Sequence, residues 1–327
     1  MSEPGPKKIV YLFGAGATHA ELSNLGVDES GLLIGDVTRR VILKAIGNTA
    51  FLPHNRMFLE RAADSSNIEL FISLIEDNAS DIRDASAAVD RLKELVEQDI
   101  KAILTTERLS AFYLHKALFE LHKHNENEII IGLISLNYDT VLDDAYKWRY
   151  GEGEPDYSFP FRTHKPDKPP LLKLHGSFNW EDIEINGRKR KIPIIPVGIN
   201  KNYLRLPYNF IWGRALEVLT DCDILRVVGC SLSPNDIQLI DLLFKAHLEK
   251  GAAFEIQIIS SERTGQNIKS RYDFFPRITT AEKIEEPLIR DIKDSTNMFQ
   301  EWLKAKVSKV LKEDAIQETV YLKNLIL

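Results

Sequence analysis

Short apolar runs, each closed by glycine or a polar residue, recur along this chain and alternate with stretches of helical spacing. The runs cover residues 9–13, 129–135, 171–174, 224–228 and 254–259. Runs this short and this apolar suit strands buried on both faces, the environment of a parallel sheet. Between the first two, apolar residues return every three or four positions: Ile68, Phe71, Ile72 and Ile75; then Leu92, Leu95, Ile100 and Ile103; then Leu114, Leu118 and Leu121. Strand followed by helix, repeatedly, predicts an α/β chain with a Rossmann-like doubly wound parallel sheet. The long helical block then becomes a large insertion at about 27–127, after the first strand–helix unit.

Further helices are expected over 138–148, 211–219 and 235–248. Residues 149–170, rich in Gly, Pro and Asp, read as a surface loop. A hairpin is expected over about 178–196, because Asn186-Gly187 separates two alternating runs and both residues tolerate positive φ. The first 280 residues then form one domain. From 281 to 327 a helical segment, with Phe299, Trp302, Leu303, Val307 and Val310 on one side, is expected to pack on that core or on a partner.

The chain has 327 residues, 44% hydrophobic and 28% charged, with a net charge of -6. That is ordinary globular composition, and the charge gives no reason to expect nucleic acid as a direct ligand. The basic run Arg188-Lys189-Arg190-Lys191 falls on the expected hairpin and reads as a solvated strand. Residues 1–6 carry no apolar signal core, and no run reaches membrane-spanning length, so a cytoplasmic protein without membrane association is expected. Cys222 and Cys230 are the only cysteines, which excludes a four-cysteine zinc site within the chain. No HxxxH or HExxH spacing exists, so no metal is expected. His115, His122 and His124 fall on a helical pattern and read as solvated.

Polar residues at strand tips are where an open α/β sheet places its ligands. Gly14-Ala15-Gly16-Ala17-Thr18 closes the first run, and a glycine turn there lets backbone N–H groups and a helix dipole meet a phosphate. A tight turn with no ligand fits it equally well, and His19 stands where a dehydrogenase fingerprint needs its third glycine. Asn137 and Asp139 follow the second strand, as a helix cap or as groups that orient a ribose hydroxyl or a water. His175, in Leu174-His175-Gly176-Ser177, either braces the hairpin or takes a proton near neutrality. Gly229-Cys230-Ser231-Leu232 closes a fourth run, where small residues permit close approach to a ligand or simply a sharp turn.

In this order, Gly-Ala-Gly-Ala-Thr, Leu-Asn-Tyr-Asp, Lys-Leu-His-Gly-Ser-Phe-Asn-Trp and Val-Gly-Cys-Ser-Leu resemble the sirtuin-like proteins of prokaryotes, over roughly positions 8–260. The resemblance implies a sirtuin-like NAD-binding domain and, from the zinc-less branch, an NAD+ hydrolase that depletes NAD+ in antiphage defence. It implies catalytic roles for Asn137 and His175, with Asp139 in support. Gly14, Ala15, Gly16, Ala17 and Thr18 would hold the pyrophosphate, and Gly229, Ser231 and Leu232 the adenosine side. Thr18 stands for the usual serine. The zinc module and the Pro-Asp-Phe-Arg segment of deacetylases are both missing, with Gly31-Leu32-Leu33-Ile34-Gly35-Asp36 in the comparable stretch. Homo-oligomerisation or a controlling partner, such as a helicase-type ATPase or an Argonaute-like protein, is implied too. The alternatives are a non-catalytic NAD or ADP-ribose binding module, or an ADP-ribosyltransferase or deacetylase.

Overall fold

The computed structural model describes residues 5–24, 32–47, 59, 67–77, 85–104, 113–123, 125–180, 183–185, 188–190, 192, 194–195, 203–280, 300–303 and 305–306. Within them the strands are β1 (Lys7–Phe13), β2 (Glu128–Ser135), β3 (Leu171–Lys173), β4 (Ile183–Ile185), β5 (Arg188–Arg190), β6 (Ile224–Val228), β7 (Glu255–Ile259) and β8 (Ile278–Thr280). The helices are α1 (Ala15–Asn24), α2 (Ile34–Ile46), α3 (Ile68–Asp77), α4 (Ala85–Leu104), α5 (Tyr113–Lys123), α6 (Val141–Tyr150), α7 (Tyr208–Asp221), α8 (Ile237–Lys250) and α9 (Glu262–Arg271).

Six strands form one sheet in the order β3-β2-β1-β6-β7-β8, and every neighbouring pair is parallel. The chain thus lays β2 and β3 on one side of β1 and β6 to β8 on the other. This is the Rossmann-like order, and the reversal puts a crevice at the carboxyl ends of β1 and β6. Ile9 to Phe13 are at most 1% exposed, as a central strand covered on both faces requires. The separate hairpin pairs Ile183 with Arg190 and Ile185 with Arg188, antiparallel as expected. Its turn, Asn186-Gly187, lies outside the described residues.

A row of polar side chains crosses the middle of the sheet. Tyr11, Arg226 and Gln257 are register partners on β1, β6 and β7. Arg226 donates to Tyr11 Oη at 2.8 Å, to Gln257 Oε1 at 3.0 Å and to both carboxylate oxygens of Glu128, at 2.7 and 2.5 Å. A guanidinium only 2% exposed needs such partners, since an unpaired buried charge is costly. Burial opposes ionisation of Glu128, yet Arg226 holds its carboxyl below the usual range. The Arg226 guanidinium also lies 5.5 Å from the ring centre of Trp302, which is buried with Leu303 in the sheet core. Of the expected C-terminal segment, residues 300–303, 305 and 306 are described; they are helical and pack on the core at these two side chains.

The helical block has two allegiances. α2, α3 and α4 enclose a core of their own around Val41, Ile42, Ile68, Ile72, Leu92 and Val96. Asp99, 2% exposed, binds Arg40 at 2.9 Å and Lys44 at 2.5 Å and so ties α4 to α2. By contrast, α5 buries Leu114, Ala117, Leu118 and Phe119 in the core of the sheet.

Three expectations are corrected here. His115 is not solvated: it is 1% exposed, and its Nδ1 lies 2.6 Å from Glu21 Oε1, which also accepts from the His115 backbone N–H. His122 likewise turns inward, with Nε2 2.7 Å from Tyr11 Oη; His124 lies outside the described residues. The loop over 149–170 is anchored inward, burying Tyr157 and Phe159 against Trp180 at centroid distances of 5.2 and 4.9 Å.

Candidate active site

Two glycine-bearing turns meet at the switch point. Gly14 N–H donates to Val228 O at 3.0 Å, and Gly16 N–H donates to Gly229 O at 2.8 Å. A Cβ on Gly14 would lie 2.7 Å from Cys230 Cα, and one on Gly16 would lie 2.7 Å from Gly229 O. Gly229 has φ +57, and a Cβ there would meet Ala17 N at 2.2 Å. The glycines are needed because the β1–α1 and β6–α8 backbones touch. That contact brings the N-terminus of α1 to the cavity edge, where its dipole favours an anion.

Asn137 and Asp139 leave the tip of β2. The Asn137 amide Nδ2 donates to Gly14 O and to Thr18 Oγ1, each at 3.0 Å. Thr18 Oγ1 in turn donates to Asp139 Oδ2 at 2.9 Å. The other carboxylate oxygen of Asp139 accepts from the N–H of Val141, the first residue of α6, at 3.0 Å, while Thr140 holds the N-cap position. Asp139 therefore supports the start of α6 from the residue before the N-cap and holds Thr18 on the cavity side. Burial raises the Asp139 pKa, with the Lys173 ammonium and the Thr18 bond opposing. Lys173 is fully buried; it reaches the Asp139 carbonyl and lies 2.8 Å from Asp143 Oδ2, while Tyr157 Oη donates to Asp143 Oδ1.

His175 follows β3. Its carbonyl accepts from Ile195 N–H at 2.9 Å, and Gly176 behind it takes φ +92, which a side chain would strain. The imidazole Nε2 lies 3.4 Å from Asp236 Oδ2, and Tyr203 Oη lies 3.3 Å from the other oxygen of that carboxylate. Asp236 stands at the start of α8, where the helix dipole supports its charge. The rings of Tyr138 and Tyr203 have their centres 6.3 and 6.5 Å from that of His175.

A cavity of about 420 Å³ joins these groups. Gly14, Ala15, Gly16, Asn137, Asp139 and His175 line it, with Gly229 and Ser231 on the β6 side. Ala17, Thr18 and Leu232 do not reach its wall. Thr18 is 1% exposed and acts from behind through Asn137 and Asp139. Leu232 is fully buried with φ +44, and its carbonyl accepts from Tyr272 Oη at 2.7 Å.

Several wall residues escaped the sequence reading. Asp236 was legible only as part of a helix start, Pro234-Asn235-Asp236. Glu69 comes from the helical block, and Ser260, Ser261 and Thr264 from the β7–α9 turn. Nothing in their local sequence distinguishes them from surface polar residues. Among the described residues no group of three or more His, Cys, Asp or Glu side chains is placed to hold a metal. Cys222 and Cys230 are buried thiols, and burial pushes Cys222 up to about 12. No helix among the described residues is long and apolar enough to cross a membrane.

The geometry defines a Rossmann-like α/β protein with a cavity at its switch point. Residues 132–269 match the family model of the SIR2-like domain. Solved structures similar to this chain include three of Sir2 proteins. One is of Sir2 enzymes, described for their mechanism and regulation, at 15% identity over 94% of each chain with a TM-score of 0.40. Another is a mutant Sir2 homologue in complex with 2'-O-acetyl ADP-ribose, at 14% identity over 95% of this chain and 94% of that one, with a TM-score of 0.42. The third is a complex of a Sir2 homologue with NAD, at 14% identity over 93% and 91%, with a TM-score of 0.41. A search of curated proteins found no match.

Proposed function

We propose that this protein is an NAD+ hydrolase that breaks the nicotinamide–ribose bond. Water is consumed, and the products are nicotinamide, ADP-ribose and a proton. The observation that carries this reading is the convergence of Asn137, Asp139 and His175, from two strand tips, on the cavity bordered by the Gly14–Gly16 turn. A volume of about 420 Å³ lies in the range of ordinary small-molecule sites.

The roles follow from the chemistry of each group. The N-terminus of α1 faces the pyrophosphate, whose charge its dipole stabilises. With Nδ2 anchored on Gly14 and Thr18, the Asn137 amide presents its carbonyl oxygen to a ribose hydroxyl or the attacking water. Asp139 holds Thr18, and through it Asn137, in place. As nicotinamide leaves, positive charge develops on the ribose, as in other glycoside cleavages. His175 takes the proton from the incoming water or a ribose hydroxyl.

An enzyme that drains NAD+ harms its own cell, so it must be kept silent until triggered. We read the protein as a cytoplasmic, NAD+-depleting effector of antiviral defence, controlled by self-assembly or by a partner such as a helicase-type ATPase or an Argonaute-like protein. Calorimetric titration with NAD+, run beside chromatography of the products, tests the reading. It expects saturable binding, with nicotinamide and free ADP-ribose formed in equal amounts without any acylated peptide. Absence of NAD+ binding overturns it. Binding without release, both from the protein alone and in the presence of its controlling partner, identifies a regulatory NAD-binding module instead.

A further inference from the structure

The ladder that sets the two polar strand tips side by side is short. β3 is an edge strand of three residues, paired to β2 through Leu133 with Leu171, Ile134 with Leu172 and Ser135 with Lys173. One more backbone bond, from Leu174 N–H to Ser135 O at 3.0 Å, closes it. Asn137, Asp139 and His175 all lie beyond the last register pair, so other bonds must fix how far apart they stand.

Two successive carbonyls past the end of β2 take over from the ladder. Tyr138 O accepts from Phe178 N–H at 2.9 Å and from Ser177 Oγ at 3.2 Å. Asp139 O accepts from Lys173 Nζ. The acceptors belong to the backbone that carries the Asn137 and Asp139 side chains. The donors come from β3 and from the turn just after His175. Lys173 is the costliest of them to bury: its side chain and that of Asp143, its partner at 2.8 Å, are both 0% exposed. Asp143 is itself held, its Oδ1 accepting from Tyr157 Oη and, at 3.4 Å, from Asn179 Nδ2. Lys173, Asp143, Tyr157 and Asn179 do not line the cavity.

A buried ion pair adds little stability over apolar side chains of similar volume, because desolvation offsets the attraction. What this pair supplies is direction. A lysine whose ammonium is anchored on Asp143 can donate to the Asp139 carbonyl from one place only, and it stands two residues before His175 on the same strand. A shift of about 1 Å between reacting groups can cost about 100-fold in rate. We infer that Lys173, anchored by Asp143, is a positioning residue that sets the separation of Asn137 and His175 for nicotinamide release. It acts through the Asp139 backbone without touching the dinucleotide. This inference rests on the proposed NAD+ hydrolase reading.

The test measures nicotinamide release, NAD+ affinity by calorimetry and unfolding temperature on the full chain, with the controlling partner added where release needs it. Wild type is compared with Lys173→Met, with Lys173→Met plus Asp143→Asn, and with Ser177→Ala. Lys173→Met strands the Asp143 carboxylate and should lower the unfolding temperature by about 5 °C or more. The paired variant removes both charges and keeps an acceptor for Tyr157, so it should regain most of that loss. Its kcat should still stay about 30-fold or more below wild type, with NAD+ affinity within about 3-fold. Ser177→Ala deletes one hydroxyl bond to Tyr138 O, leaves the buried pair in place and should lower kcat about 3- to 10-fold at unchanged affinity. Wild-type kcat in the paired variant would mean that the pair serves folding alone; it overturns the inference and leaves the NAD+ site standing. If the paired variant does not fold, wild-type kcat in Ser177→Ala overturns it instead. A wild type that binds NAD+ but releases no nicotinamide, alone and with its partner, fails the hydrolase reading and takes the inference with it.

Discussion

Thr18 Oγ1 donates to Asp139 Oδ2 across 2.9 Å, joining α1 to the tip of β2 over 121 positions of sequence. The same hydroxyl accepts from Asn137 Nδ2, so one buried side chain locks both polar residues of the Asn-Tyr-Asp motif. Thr18→Val keeps the shape and removes the donor, leaving a buried carboxylate oxygen without its partner. It should cost about 1–3 kcal/mol in urea unfolding, whereas Thr18→Ser should recover most of it. If Thr18→Val is as stable as the wild type, this hydrogen bond does not hold the motif.

Gly229 and Gly213 make opposite predictions for the same substitution. Gly229→Ala places a Cβ 2.2 Å from Ala17 N at a residue with φ +57, and should destabilise by more than about 3 kcal/mol. Gly213 lies inside α7 with nothing within 4 Å of an added Cβ. There alanine should stabilise by about 0.5–1 kcal/mol. Thermal unfolding of the two variants checks both signs.

His122 makes stability depend on pH. Burial, and then Arg226, push its imidazole down from near 6.5 to about 4 in the folded chain. Between those values the unfolded chain holds the extra proton, so stability is complete above pH 6.5 and is lost as pH falls toward 4. The loss attributable to this group is up to roughly 3 kcal/mol. Urea titrations at stepped pH should show His122→Gln flattening that slope; an unchanged slope would mean that other groups carry it.

Arg226, buried, and Glu128, partly buried, form an ion pair that each member needs. Arg226→Leu should cost about 3–5 kcal/mol, because it strands the Glu128 carboxylate beside Tyr11. Arg226→Leu combined with Glu128→Leu should be markedly more stable than the single variant. A double-mutant cycle with no coupling would refute the account of this row.

The sheet was legible in the sequence because β1, β2, β6 and β7 are nearly pure apolar runs, the one pattern a two-sided parallel strand leaves behind. β8 was not, since Ile278–Thr280 is three residues long and its pairing comes from β7. α9 was missed for a different reason: Glu262–Arg271 is almost wholly polar, and Ile268 alone anchors it in the core. At the site, the strand-tip residues Asn137, Asp139 and His175 were readable because their position after a strand is itself informative. Asp236 and Glu69 were not, because they come to the cavity wall only through tertiary packing. The inward turn of His115 and His122 escaped for the same reason: periodicity marks a face, while the buried acid on Glu21 and the phenol of Tyr11 decide what that face touches.

Catalysis by Asn137 and His175 is the step on which the proposed hydrolysis depends. Nicotinamide release from NAD+ should be followed for the wild type, Asn137→Ala and His175→Ala, under conditions where NAD+ binding is measured in the same samples. The predicted result is release by the wild type that drops about 100-fold or more in each variant while the protein stays folded. Equal release from all three proteins would contradict it.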